Sequence, residues 1–169
     1  MSSRIERVSK YDFNNESDFE LSRGQAEAFY RSLDKKYCAY FQRSISFNSN
    51  GWEHLRFKNR GHPRSHADQY TRFKLLPLVP KILGLSRTIQ GIYERNQFER
   101  IRLHNRTEDI LKAVSYFEFI AVTDDVRVKV ILKQIEASDI FFWSVIPYWK
   151  YDPYSTNKRL LYSRDPESL

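Results

Sequence analysis

The sequence predicts an α+β fold in which N-terminal helices pack on a C-terminal antiparallel β-meander of three to four strands. Two patterns carry this expectation. Apolar residues recur at helical spacing early in the chain. Alternation takes over later, most cleanly where Val126, Val128, Val130 and Leu132 interleave with Arg127, Lys129, Ile131 and Lys133. Composition agrees: 12 Phe, 11 Tyr and 3 Trp against 5 Gly and 6 Pro supply a core and leave little room for low-complexity linkers. A chain of 169 residues suits one domain with trimmings. The expected division is a leader and helical segment over 1–47, an α+β core over 48–150 and a tail over 151–169.

The elements follow in order. Residues 1–15 form a loose leader. Asn14, Asn15, Ser17 and Asp18 offer capping side chains, and Phe19, Leu21, Ala26, Phe29, Tyr30 and Leu33 then mark a helix over roughly 17–36. Tyr37–Phe47 is aromatic and partly alternating, either a strand or the helix continued. Asn48-Ser49-Asn50-Gly51 signals a turn. The next segment is expected to be extended, with Trp52, His54, Arg56 and Lys58 on one face. After Gly61-His62-Pro63 a helix runs to about Leu83, with an interruption at Pro77 and Pro80 and a stop near Gly84. Thr88–Arg95 is a short strand, and 97–112 a charged stretch with a turn. Tyr116–Thr123, Val126–Lys133 and Ile140–Ile146 complete the meander, with a tight turn at Asp124-Asp125. One face of the sheet packs on the second helix and the other lies open.

Charge narrows the partners. Lys and Arg total 28 against 21 acidic residues, for a net charge of +7. Such a field steers polyanions, of which nucleic acid is the commonest in a cell. The basic residues gather: Arg56, Lys58, Arg60, Arg64, Arg72 and Lys74 lie in one stretch with Asp68 as its only acid. No apolar run approaches the roughly 20 residues that cross a bilayer, and Met1–Lys10 lacks the apolar centre of a secretory signal. With Cys38 the only cysteine there is no internal disulfide and no multi-cysteine metal site. A cytoplasmic protein without a membrane partner is expected.

The chemistry-bearing residues are few. His54, His62, His66 and His104 are the only histidines, and Arg60 and Arg64 beside two of them would repel a cation, so no metal and no cofactor is expected. No phosphate-cradling glycine loop is present. What remains is a histidine among guanidinium groups. Metal-free RNA cleavage needs a base for the ribose 2′-hydroxyl, cations for the phosphorane and an acid for the leaving oxygen. Histidine can be base or acid near neutral pH, and arginine's fork suits a phosphate. His54, Arg56 and Lys58 fit that demand. Arg60, Arg64 and Arg72 could complete the cradle, Ser144 could bond a phosphate oxygen, and Lys129 and Lys133 add nucleic-acid contacts. Each has a plainer reading as well. One histidine in a strand is more often an ordinary surface or satisfied residue than a catalyst, lysine and arginine runs are usually solvated faces, and Trp52, Trp143 and Trp149 more often pack than stack bases.

Gly51-Trp52-Glu53-His54-Leu55, the basic stretch and helix after it, Phe119 to Ile135, and Phe142-Trp143-Ser144-Val145-Ile146-Pro147 together resemble phage-type nuclease domains. Those belong to the group that unites barnase, EndoU, the tRNA-cutting colicins and RelE. The resemblance covers roughly 50–150 and rests on element order and short motifs. It implies a four-stranded antiparallel sheet whose open face carries a metal-independent ribonuclease site. His54 would take the place of the group's common histidine and Ser144 that of a hydroxyl residue in the final strand, with Arg56, Lys58 and Arg64 matching loosely. Several members add a second histidine, for which His62 and His66 are the candidates. The implied partners are RNA, including tRNA or ribosome-associated RNA, and, if the chain is a toxin, a cognate inhibitor protein. The alternatives are a non-catalytic basic nucleic-acid-binding module and a protein adaptor contacting partners through Trp149.

Overall fold

Asn15 opens the first helix, α1 (Glu16–Leu33). Its side chain accepts from the Asp18 N–H at 2.9 Å, satisfying a donor that the first turn leaves without an intrahelical partner. The computed structural model describes residues 13–58, 61–123, 126–148 and 166–167. Along α1 the buried stripe is Phe19, Ser22, Ala26, Tyr30 and Leu33. The leader expected before residue 13, the Asp124-Asp125 turn, Arg60 and Trp149 lie outside the described residues.

The aromatic stretch after α1 is a hairpin, β1 (Lys35–Cys38) and β2 (Arg43–Ser46). The next segment corrects the expectation of an extended chain. Residues Ser49–Arg56 form a helix, α2, whose cap is the Asn48 side chain accepting from the Gly51 N–H at 3.2 Å. Two turns are too short for apolar spacing to declare itself against a period of two, so the alternation of Trp52, His54 and Arg56 misleads. In the helix Trp52 and Arg56 lie one turn apart on one side and His54 on another. Trp52 and Leu55 enter the main core, and His54 points elsewhere.

A small ribbon, β3 (Phe57–Lys58) with β4 (His62–Pro63), leads to α3 (His66–Leu75), capped by the Ser65 hydroxyl. Pro77 lies in a 3-10 turn, Leu76–Leu78, and the chain restarts as α4 (Val79–Leu85), so the interruption falls where the prolines require it. Four long strands follow: β5 (Gly91–Leu103), β6 (Arg106–Thr123), β7 (Val126–Ile135) and β8 (Phe141–Pro147). The stretch 97–112 is therefore mostly strand. Its turn is His104-Asn105, with His104 in the left-handed region, and the pairs Phe98↔Leu111 to Leu103↔Arg106 extend beyond the Val114–Thr123 stretch that pairs with β7. Both faces of this ribbon meet solvent over much of its length, so charge replaces the alternation that would announce strands.

The strand order is β1-β2-β8-β7-β6-β5. The meander of four antiparallel strands is as expected, and β1–β2 enlarge the sheet to six through one parallel pairing, Ser46↔Phe141. Phe19, Tyr30, Ile45 and Phe47 share one core with Phe73, Leu132 and Phe142. That core lies between the helices and the face bearing Phe117, Phe119, Val128, Val130 and Leu132. Among the described residues no helix is long and apolar enough to cross a membrane.

Helix α2 rests against β8 at Gly51. A Cβ there would overlap the Tyr30 hydroxyl and the Phe142 carbonyl oxygen, and the carbonyl belongs to a strand that cannot swing aside. Gly51→Ala should lower the unfolding free energy by about 1–3 kcal/mol in urea titrations, a typical cost of overpacking. Gly24→Ala is the control, because nothing lies within 4 Å of its Cβ position. It should be neutral or gain up to ~1 kcal/mol from helix propensity. Equal stability of Gly51→Ala and the native protein would show that the approach is not limiting.

Candidate functional site

Alternation along β7 divides the sheet's two faces. Val128, Val130 and Leu132 enter the main core, while Ile131 joins a second, smaller cluster with Val114, Tyr116, Phe141, Trp143 and Ile146. Tyr93, Tyr116 and Lys133 align across three strands on this second face through the pairings Tyr93↔Tyr116 and Tyr116↔Lys133. In β8 the register slips: Leu132 faces Phe142 and Ile131 faces Ser144, leaving Trp143 as the extra residue of a bulge. Trp143 then stands on the second face, while the Ser144 hydroxyl reaches α3.

His54 meets this face from α2. Its ring stacks on Trp143 with centroids 4.0 Å apart and planes 18° apart, and it is only 5% exposed. Arg64 holds it from behind, its Nε donating to the His54 carbonyl at 2.9 Å and a terminal nitrogen lying 3.1 Å from His54 Nε2. A guanidinium can only donate, so Nε2 accepts, and the imidazole is neutral with its proton on Nδ1.

Arg64 begins a buried chain of bonds. It pairs with Asp68 at 3.2 Å. Asp68 accepts from Arg72 Nε at 2.8 Å, and Arg72 donates to Ser144 Oγ at 2.5 Å. The spacing 64, 68, 72 sets these side chains one above another along α3 and its entrance. Burial, then the neighbouring Arg72 charge, lowers the Arg64 guanidinium to about 10, with Asp68 opposing. Burial lowers Arg72 as well. Burial alone would raise the Asp68 carboxyl, but the Arg72 and Arg64 guanidiniums outweigh it and hold the group below the ordinary carboxylate range.

The second face is not open as expected, since Tyr116, Lys129, Ile131, Lys133 and Trp143 are all buried on it; beside His54 it carries a cleft of about 380 Å³, lined among others by Glu53, Lys58, Glu99, Arg100, Lys133 and Trp143. The Lys133 ammonium lies 4.0 Å from the Trp143 ring, 2.8 Å from Glu99 and 2.7 Å from Glu167. Burial, then the Glu167 carboxylate, raises the Tyr116 phenol.

Of the residues singled out in the sequence, His54, Lys58 and Lys133 therefore converge on the cleft. Arg64, Arg72 and Ser144 converge on His54's far side. Their polar groups turn inward to Asp68 and to one another, so in this arrangement they brace the site and present no phosphate cradle. Arg56 lies over the Phe57 ring at 5.0 Å and 3.8 Å from Glu53, with its buried Nε lacking a hydrogen-bond partner among the described residues. Lys129 pairs with Glu118 at 3.3 Å, further along β7. Neither candidate second histidine shares the cleft lining: His62 is exposed in β4, and His66 stacks on Phe19 and pairs with Glu16, tying α3 to α1. Sequence reasoning missed Glu53, Glu99, Arg100 and Tyr116, whose gathering depends on strand register, and Glu167, for which no local signal exists. Among the described residues no three His, Cys, Asp or Glu side chains cluster as metal ligands would.

Asp68 makes the network pH-dependent. A carboxyl depressed in the folded state stabilises the fold fully above its unfolded value of ~3.9 and loses that contribution as pH falls through its lower folded value. Asp68→Asn leaves two buried guanidiniums short of their counter-ion and should cost on the order of 2–3 kcal/mol at neutral pH, discounted because the carboxylate is partly exposed. Thermal melts of both proteins should show a gap in Tm that is constant above about pH 5 and closes in stronger acid. A gap independent of pH would remove the ion pairs from the account.

No family model, curated protein or solved structure matches this chain.

Proposed function

We propose that the protein is a metal-independent endoribonuclease that takes single-stranded or loop RNA in the cleft on the second face of its sheet. The observation that supports this best is the position of His54: a neutral imidazole laid on Trp143 in the wall of a cleft that Lys58, Arg100 and Lys133 also line. The cations suit a phosphodiester, and Trp143 offers an aromatic surface beside it. Splayed bases and backbone are available only where RNA is unpaired.

The chemistry is a proton transfer around phosphorus. For this His54 must turn its Nε2 from Arg64 toward the cleft when substrate binds; it then takes the 2′-hydroxyl proton, and the 2′-oxygen attacks phosphorus. Lys58, Lys133 and Arg100 carry the charge that grows on the phosphorane. The imidazolium stands beside a guanidinium, which disfavours its charge and speeds return of the proton to the departing 5′-oxygen. A cyclic phosphate and a 5′-hydroxyl result, and no atom or charge is left over. DNA, without the 2′-hydroxyl, cannot enter this path.

A second reading is favoured by one observation: His54 is almost fully buried and its Nε2 is already bonded to Arg64. A ring so held suits a non-catalytic RNA-binding module, in which it only supports Trp143. His54→Gln separates the two, because glutamine can accept from Arg64 and cannot relay a proton. Incubated with total cellular RNA in excess chelator, the native protein should cut RNA and spare DNA. His54→Gln should lose about 100-fold or more of that rate while still retaining RNA. Retention without cutting by either protein, weakening as salt rises, supports the binding module. Equal cutting of RNA and DNA would sink the mechanism.

A further inference from the structure

The second face already holds an anion, and it comes from the chain itself. The Glu167 carboxylate lies 2.7 Å from the Lys133 ammonium and 3.0 Å from Gln97 Nε2, and it accepts from the Tyr116 hydroxyl. Pro166, just before it, accepts from the Trp143 indole N–H at 3.1 Å. These donors come from β7, β5, β6 and β8, so the four strands of the meander converge on two residues that lie far beyond the last strand in sequence.

The surroundings mark this as a built site. The Lys133 side chain is 2% exposed and packs between the rings of Trp143, at 4.0 Å, and Tyr116, at 5.5 Å. It faces two carboxylates of unlike standing. Glu99 is fixed in β5 by the pairing Glu99↔Ile110, whereas Glu167 belongs to no strand. Clefts of about 380 Å³ and 550 Å³ both include Glu167, Lys133 and Trp143 in their walls, so Glu167 interrupts a groove running across the face. An ammonium, a phenol and a primary amide are the donors a phosphodiester needs. Carboxylate and phosphodiester share a single negative charge and oxygens that only accept.

We infer that Glu167 stands in for an RNA phosphate: Lys133, Tyr116 and Gln97 form a phosphate subsite that Pro166–Glu167 fills until RNA displaces it. This rests on the RNA reading above and gives that face its point of grip. An internal occupant reduces the apparent affinity for RNA by the fraction of molecules whose subsite is open.

The test is binding of a short single-stranded RNA, in chelator and at fixed salt, to the full chain and three variants. Glu167→Gln removes the competing charge, and Glu167→Lys sets a cation against Lys133. Glu20→Gln, at an exposed position on α1, controls for the change in net charge. Glu167→Gln should bind at least about fivefold more tightly than the native chain, and Glu167→Lys at least as tightly as Glu167→Gln. Glu20→Gln should move affinity by less than about twofold. If neither Glu167 variant binds RNA more tightly than Glu20→Gln does, the subsite is overturned while the RNA reading stands. If no chain binds RNA, both fall.

Discussion

The molecule depends on how closely α2 approaches β8. Strand β2 pairs with β8 only at Ser46↔Phe141, so the remaining outer edge of β8 is left for a helix to cover. Gly51 lets α2 meet that edge backbone to backbone, and the Tyr30 hydroxyl pins the helix entrance by donating to the Asn48 carbonyl at 2.8 Å. From that position a two-turn helix serves both faces of the sheet. Trp52 stacks on Phe73 at 5.6 Å within the main core, and His54 stacks on Trp143 on the second face. A small displacement of α2 would loosen the core and misplace the imidazole together, so stability and site geometry are set by the same contact.

The buried Arg64–Asp68–Arg72 network looks costly, since two guanidiniums share one carboxylate. Desolvating such groups is seldom repaid in full by their attraction, so stability alone does not explain it. It gives direction. Arg72 joins α3 to β8 through Ser144, Arg64 joins the entrance of α3 to α2 through His54, and Gln69 bonds the Arg64 carbonyl at 2.8 Å. Three elements are thereby fixed by donors that accept only one geometry. The same network orients the His54 ring, because a guanidinium can only donate and Nε2 must accept.

Much of the fold was legible. Strand β7 announces itself because Val128, Val130 and Leu132 all enter the main core while Lys129 and Lys133 alternate with them and meet carboxylates on the other face, and α1 does so through its cap and stripe. The failures have physical causes. The projecting β5–β6 ribbon has no buried face over much of its length, so its alternation carries charge. The α2 segment is too short to show its period, and its helix is decided by the Asn48 cap and by docking on β8. At the site, basic residues were visible in the sequence and their partners were not. Arg64 and Arg72 look like surface cations until Asp68 and Ser144 are seen beneath them. Lys133 looks like the solvent side of a strand until Trp143, Tyr116, Glu99 and Glu167 close over it. Burial of a charge is a property of the folded neighbourhood, and spacing along one segment does not contain it.

That burial also bears on where the charge of +7 can act. Lys129 and Lys133 are compensated by Glu118, Glu99 and Glu167, so they add little to the field felt at a distance. Long-range attraction belongs to exposed cations at the margin, Lys58 and Arg100 at the cleft and Arg102 and Arg106 near the ribbon's tip. A buried lysine left waiting for a ligand without a counter-ion would carry a desolvation cost of several kcal/mol. If one anion replaces another on Lys133, that cost is the same before and after, and binding turns on the difference between the two anions. Sequence-independent attraction at the rim, followed by exchange at a compensated centre, lets a face this deeply packed still receive a charged polymer.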